Sequence, residues 1–157
     1  AIRAELVLLL AKAGGWQGMA LGQALDLNPE RQGFSPSDVA EMQALKTGAL
    51  FRFACEAGAI LGGADPAPLL QYADHIGLAF QIADDVLDVE STPEALGKAT
   101  QKDRGKGKAT FVDLMGLDSA KRKAEELVQA AIAILESHGS RAETLRETAR
   151  FIVARRK

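Results

Sequence analysis

The chain has 157 residues, 25% of them charged, with a net charge of −2. That is enough for one domain with a real core and too few for two ordinary ones, and it carries no overall basic field to draw it to nucleic acid. Aromatic residues make up only 5%, and Ala and Leu dominate the apolar set, which favours helix over sheet because strands draw on β-branched and aromatic residues. Cys55 is the single cysteine, so an intrachain disulfide is excluded, a cytosolic setting is the default, and the expected role of Cys55 is a small buried hydrophobe. The longest apolar run, residues 6–11, falls far short of the roughly 20 needed to span a bilayer.

The chain opens at Ala1 without an initiator Met and reads as helix from Ile2, as a chain cut inside a larger domain would. Residues 2–13 form a helix by composition, ended or kinked at Gly14-Gly15. Residues 16–27 resume the helical pattern with Gln23 and Asp26 three apart on one face; such a pair is also a common surface feature. A polar connection over 28–37 ends in Ser35-Pro36, an N-cap followed by proline at the first helical position. Residues 36–61 then read as one long helix interrupted at Lys46-Thr47-Gly48. Glycine loosens a helix interior and a threonine hydroxyl competes for a backbone carbonyl, so a kink here would turn a main-chain carbonyl toward a cavity.

After Gly62-Gly63 and Pro66-Ala67-Pro68 comes the helix over 68–89, which holds the densest chemistry. On a wheel at about 100° per residue, Gln81, Asp84, Asp85 and Asp88 form one polar face, opposite Tyr72, Ile76, Ala79, Ala83, Val86 and Leu87. Three carboxylates this close repel unless a cation sits among them. With oxygen ligands only, hard-cation chemistry points to Mg²⁺, held by one or two carboxylates together with waters and substrate phosphates. A solvated acidic face is the competing reading. His75 lies on the far side of this helix, which assigns it a structural role.

Residues 91–108 read as a glycine-rich loop carrying Lys98, Lys102, Arg104, Lys106 and Lys108. Such a loop is often only solvated surface; beside an acidic metal-binding face it suits a phosphate. A short helix over 110–115 ends at Gly116, Asp118 is expected to cap a helix reaching about 137, and Ser140-Arg141-Ala142-Glu143 reads as a capping box opening the last helix. On that helix Leu145, Ala149, Ile152 and Val153 face inward, and the chain ends in the basic Arg155-Arg156-Lys157.

Five segments in order, Gly22-Gln23-Ala24-Leu25-Asp26, Lys46-Thr47-Gly48-Ala49-Leu50, residues 77–88 with Asp84-Asp85-Val86-Leu87-Asp88, Leu96-Gly97-Lys98, and Gly107-Lys108, resemble the trans-prenyl (polyprenyl) diphosphate synthases, most closely the bacterial farnesyl diphosphate synthase branch. The resemblance implies an all-α bundle of the isoprenoid synthase type, a cytoplasmic homodimer, Mg²⁺ as cofactor, and isopentenyl and allylic diphosphates (dimethylallyl or geranyl) as substrates for condensation to farnesyl diphosphate. It further implies that Asp84, Asp85 and Asp88 belong to the second aspartate-rich metal motif, assisted by Asp26 with Gln23 beside it near the diphosphate. By the same resemblance Lys46, Lys98 and Lys108 grip the allylic diphosphate. Thr47, Gln81 and the Lys46 carbonyl stand near the allylic cation, and the basic tail covers the isopentenyl diphosphate.

The first aspartate-rich motif of that family has no counterpart before Asp26, so residues 1–157 are expected to be the C-terminal half of one synthase domain, with apolar helix faces left uncovered. Two other readings fit parts of the pattern: a class I terpene cyclase or diphosphate hydrolase, and a non-catalytic helical regulatory subunit. The isolated 157 residues are expected to show negligible turnover in a Mg²⁺ assay of prenyl chain extension; a rate near that of an intact synthase would refute the half-domain reading.

Overall fold

The computed structural model describes residues 1–28, 35–91 and 110–155, and no strand occurs among them. The helices are α1 (Ile2–Gly14), α2 (Met19–Asp26), α3 (Pro36–Gln43), α4 (Ala49–Gly62), α5 (Ala67–Glu90), α6 (Phe111–Met115), α7 (Leu117–Ile134) and α8 (Glu143–Ala154). A π-helical segment, Ala44–Gly48, joins α3 to α4, and a 3₁₀ segment, Glu136–Ala142, joins α7 to α8. The all-α architecture expected from composition is therefore the observed one.

α5 is the central helix. It packs against α7, α4, α8, α6 and the π segment, and its apolar stripe Tyr72, Ile76, Ala79, Ile82, Ala83 and Val86 is buried. Opposite it lie Ala120, Ala124, Leu127, Val128 and Ala131 of α7 with Ala149 and Ile152 of α8. Small alanines on the facing stripes bring the helix axes close and leave the larger side chains to fill the space between. At the periphery, α1 contributes no buried residue. Val7, Leu8 and Trp16 stand exposed in its neighbourhood, as do Leu61 and Phe151 elsewhere on the surface.

Local chemistry sets the helix ends. Ser35 caps α3 in a reciprocal box with Asp38, as the Ser-Pro signal implied, and Thr110 caps α6 the same way with Asp113. Two expected caps do not form. Gly116, at φ 80, ends α6 and also begins α7, so Asp118 falls inside the first turn of α7, where its charge still suits the helix dipole. The box at Ser140–Glu143 is replaced by the 3₁₀ segment, which turns at Gly139 with φ 57. Glu143 instead pairs with Arg146 and Arg150. Arg146 staples the turn by donating to the carbonyls of Leu135 and Gly139, both at 2.8 Å. Val153 is 36% exposed rather than inward.

Tyr72, the only tyrosine, is fully buried and donates its hydroxyl to the Leu145 carbonyl at 2.7 Å, tying α5 to α8. Burial, with a smaller contribution from Cys55, pushes the phenol up to about 12; burial also raises the Cys55 thiol. The folded state holds the Tyr72 proton more tightly than the unfolded chain does, so stability falls as pH rises from 10 toward about 12, by up to roughly 3 kcal/mol. Absorbance at 295 nm reads this one residue directly: half-ionisation is expected near the raised value in the folded chain and at the ordinary one in denaturant. Equal midpoints would disprove the buried bond.

Candidate active site

Asp26 and Lys46 meet at the π segment, which also carries Thr47. A side chain at Gly22 of α2 would put its Cβ 2.2 Å from the Lys46 nitrogen and 2.5 Å from its Cα, so only glycine lets α2 lie against that backbone. From the other side, a Cβ at Gly77 of α5 would meet the Gly48 Cα at 3.4 Å. The interruption expected at Lys46-Thr47-Gly48 is thus real, and it takes the form of a π turn held between two close-packed helices. π turns shift the hydrogen-bond register by one residue and are common at functional sites.

This contact puts Asp26, one turn beyond Gly22, beside Lys46. The ammonium donates to Asp26 Oδ2 at 2.8 Å, with the carboxylate side chain 8% exposed and the lysine 32%. The aspartate expected to assist a metal and the lysine expected to grip a diphosphate are therefore ion-paired with each other. Gln23 is half-buried on the same helix, and Thr47 is half-buried in the π segment.

Along α5 the acidic face divides. Asp84 is paired with Arg155, whose guanidinium also stacks over the Phe80 ring at 4.1 Å and donates to the Phe80 carbonyl at 3.3 Å. Burial pushes the Asp84 carboxyl up, with Arg155 pulling it the other way. Asp88, one turn on, is exposed. Asp85 departs from the expected polar face: it is 8% exposed, accepting the Phe111 N–H at 2.8 Å and the Gln81 amide at 3.2 Å. It sits at the edge of the polar arc, where α6 covers it, and both oxygens are engaged. Burial raises its carboxyl despite these bonds. Arg155 belongs to the basic chain end that the resemblance placed over the isopentenyl diphosphate; its pairing with Asp84 had no signal in the sequence.

Gln81 lines a cleft of about 300 Å³ with Gln43, Gly48, Gly77, Leu78 and the ion-paired Arg52 and Asp74. A larger cavity of about 450 Å³ between α5, α7 and α8 is lined by Arg155 but by none of the residues singled out above as metal, diphosphate or cation groups, whereas the smaller cleft holds one of them, Gln81. Lys98 and Lys108, with the rest of the basic loop, and Arg156-Lys157 lie outside the described residues.

Among the described residues no three His, Cys, Asp or Glu side chains cluster tightly enough to hold a metal alone. The donor set nevertheless suits Mg²⁺, which takes one or two carboxylates and completes its octahedron with water and substrate phosphate. Asp84 and Asp88, four residues apart on one helix side, offer two such carboxylates; Asp85 does not.

The sequence matches the family model described as Polyprenyl synthetase over residues 3–149. This chain belongs to the polyprenyl synthetase family. It is 40% identical over 156 residues to farnesyl diphosphate synthase of Haemophilus influenzae, covering 96% of this chain and 52% of that protein. With geranylgeranyl diphosphate synthase of Cyanophora paradoxa it shares 40% over 155 residues, covering 96% and 52%. The fold matches an apo crystal structure of an FPP/GFPP synthase from Zymomonas mobilis with a TM-score of 0.82 and 45% identity, over 97% of this chain and 51% of that one. The chain thus spans about half the length of these polyprenyl synthetases. No helix among the described residues is long and apolar enough to cross a membrane.

The π-turn contact makes a specific demand on stability. Gly22→Ala forces its Cβ against the Lys46 backbone and is expected to cost roughly 3 kcal/mol or more. Gly58→Ala, in open space on α4, is expected to add about 1 kcal/mol from helix propensity. Urea denaturation of the two variants checks the contrast, and equal midpoints would contradict the close approach.

Proposed function

We propose that these residues form the C-terminal part of a prenyltransferase that condenses isopentenyl diphosphate with dimethylallyl or geranyl diphosphate to farnesyl diphosphate, in a cytoplasmic homodimer. What supports this reading is the Asp26–Lys46 pair at the π turn, Gln81 in a cleft that Gly48 also lines, and Asp84 and Asp88 further along the same side of α5 as Gln81.

In the proposed reaction the allylic C–O bond breaks heterolytically, leaving an allylic cation and a diphosphate that takes the electron pair. Lys46, with Lys98 and Lys108, stabilises the anion as its charge develops. Mg²⁺, when bound at Asp84 and Asp88, supplies further neutralisation of that leaving group. Asp26 acts by holding the Lys46 ammonium in place, with Gln23 beside it. The cation needs neutral dipoles, because a carboxylate would capture it and water would quench it; Gln81, Thr47 and the Lys46 carbonyl are groups of that kind. The isopentenyl double bond attacks the cation, and the proton then lost passes to the departing diphosphate.

Calorimetry with geranyl diphosphate, with and without Mg²⁺, tests the reading. Asp84→Ala and Asp88→Ala are each expected to weaken Mg²⁺-dependent binding about tenfold or more, while Glu126→Ala, exposed on α7 beside Lys123, leaves it unchanged. Binding indifferent to Asp84 and Asp88 would instead support a helical scaffold, and diphosphate release without a condensed product would point to a cyclase or hydrolase.

A further inference from the structure

The buried carboxylate of Asp85 sits four residues beyond Gln81 on α5 and one hydrogen bond from each of two groups. Its Oδ1 accepts from the Gln81 side-chain nitrogen at 3.2 Å, and its Oδ2 accepts from the Phe111 N–H at 2.8 Å. Phe111 is itself 7% exposed, so the second bond anchors the carboxylate to a fixed piece of backbone and stops it rotating.

A glutamine amide has two ends of opposite polarity, and nothing in its shape decides which faces where. Here the neighbour decides. An ionised carboxylate offers acceptors only, so the NH₂ of Gln81 must face Asp85 and its carbonyl oxygen is left for other partners. Gln81 lines the cleft beside Gly48 of the π turn. We propose that Asp85 is a positioning residue: it fixes the flip of the Gln81 amide so that the carbonyl dipole, not the N–H, is available to the allylic cation.

This rests on the reading that the cleft beside Gln81 receives that cation. The sign of the dipole then matters more than its presence. In a cavity with little water a carbonyl oxygen stabilises a neighbouring positive charge, whereas an N–H in the same place repels it. Asp85 thus acts on the reaction through Gln81, without touching metal or substrate, and both of its oxygens are already used in doing so.

Asp85→Asn is the informative change because it keeps the shape. The Phe111 N–H still requires an acceptor, so the asparagine carbonyl turns to Phe111 and its NH₂ to Gln81. Gln81 must then present its own carbonyl to residue 85 and its NH₂ to the cleft. In the natural gene product that carries these residues, kcat for condensation of isopentenyl with dimethylallyl diphosphate is expected to fall about 100-fold, with KM for both substrates and the Mg²⁺ dependence within about twofold. In a Gln81→Leu background the same change is expected to have no further effect on kcat, since the group through which Asp85 acts is gone.

An additive double variant, or a shifted Mg²⁺ dependence, would overturn the assignment in favour of a metal role. Turnover of Asp85→Asn equal to the unmodified enzyme would overturn it outright. If the unmodified gene product makes no condensed product, the functional reading fails first and takes this inference with it. A measurement on the unmodified chain needs no variant to fold: in NMR, the Gln81 side-chain NH₂ and the Phe111 amide are both expected to be protected from solvent exchange. A freely exchanging Gln81 NH₂ would sink the proposal.

Discussion

The arrangement depends on how closely α2 and α5 approach the π turn at Ala44–Gly48. A π turn is a poor local structure, with one extra residue in the ring and weaker geometry than its α neighbours. It persists where tertiary packing over-determines it, and here it is held by Gly22 on one side and Gly77 on the other. Once α2 lies against the Lys46 backbone, Asp26 and Lys46 must meet. That pairing leaves neither charge buried alone, a condition that a part-buried ion pair has to satisfy. The same insertion offsets Thr47 and Gly48 from the register of α4 and brings Gly48 to the wall of the cleft that Gln81 also lines.

α5 carries two incompatible tasks on one cylinder. Its apolar stripe must bury against α7 and α8, and its polar side must keep carboxylates accessible. The division falls inside the Asp84-Asp85 pair: adjacent residues on a helix point about 100° apart, so one of the two is drawn toward the core. Asp85 is the one drawn in, and the cost of desolvating it is offset by the Phe111 N–H. That N–H, at the first turn of α6, would otherwise need a partner of its own. One bond thus satisfies a helix terminus and a buried carboxylate together.

Much of this was legible in the sequence. The extent and amphipathicity of α5, the Ser35 cap and the interruption at Lys46-Thr47-Gly48 follow from periodicity and from residues whose preferences act within a turn or two. What was not legible depends on distant partners. The π form of the interruption is decided by Gly22 and Gly77, and the withdrawal of Asp85 is decided by Phe111, 26 residues away. The capping box at Ser140–Glu143 failed for a related reason: Arg146 and Arg150 compete for Glu143, and Gly139 turns the chain before the box can close. Local signals state what a segment prefers, and packing chooses among those preferences.

The same distinction bears on the acidic face itself. From the sequence it is a cluster of like charges that calls for an external cation, yet in the fold Asp84 already has Arg155 beside it. The guanidinium rests on the Phe80 ring, and that ring meets Phe51 at a centroid distance of 5.5 Å, so the seat is built from core aromatics as well as from the carboxylate. Ring face, main-chain carbonyl and carboxylate together make a place shaped for positive charge. Asp88, exposed one turn away, has no such shelter. The two aspartates that share a helix side are therefore unequal: a divalent ion drawing on both must share Asp84 with a cation that the protein supplies from the end of α8, whereas Asp88 is ion-paired with none of the described residues.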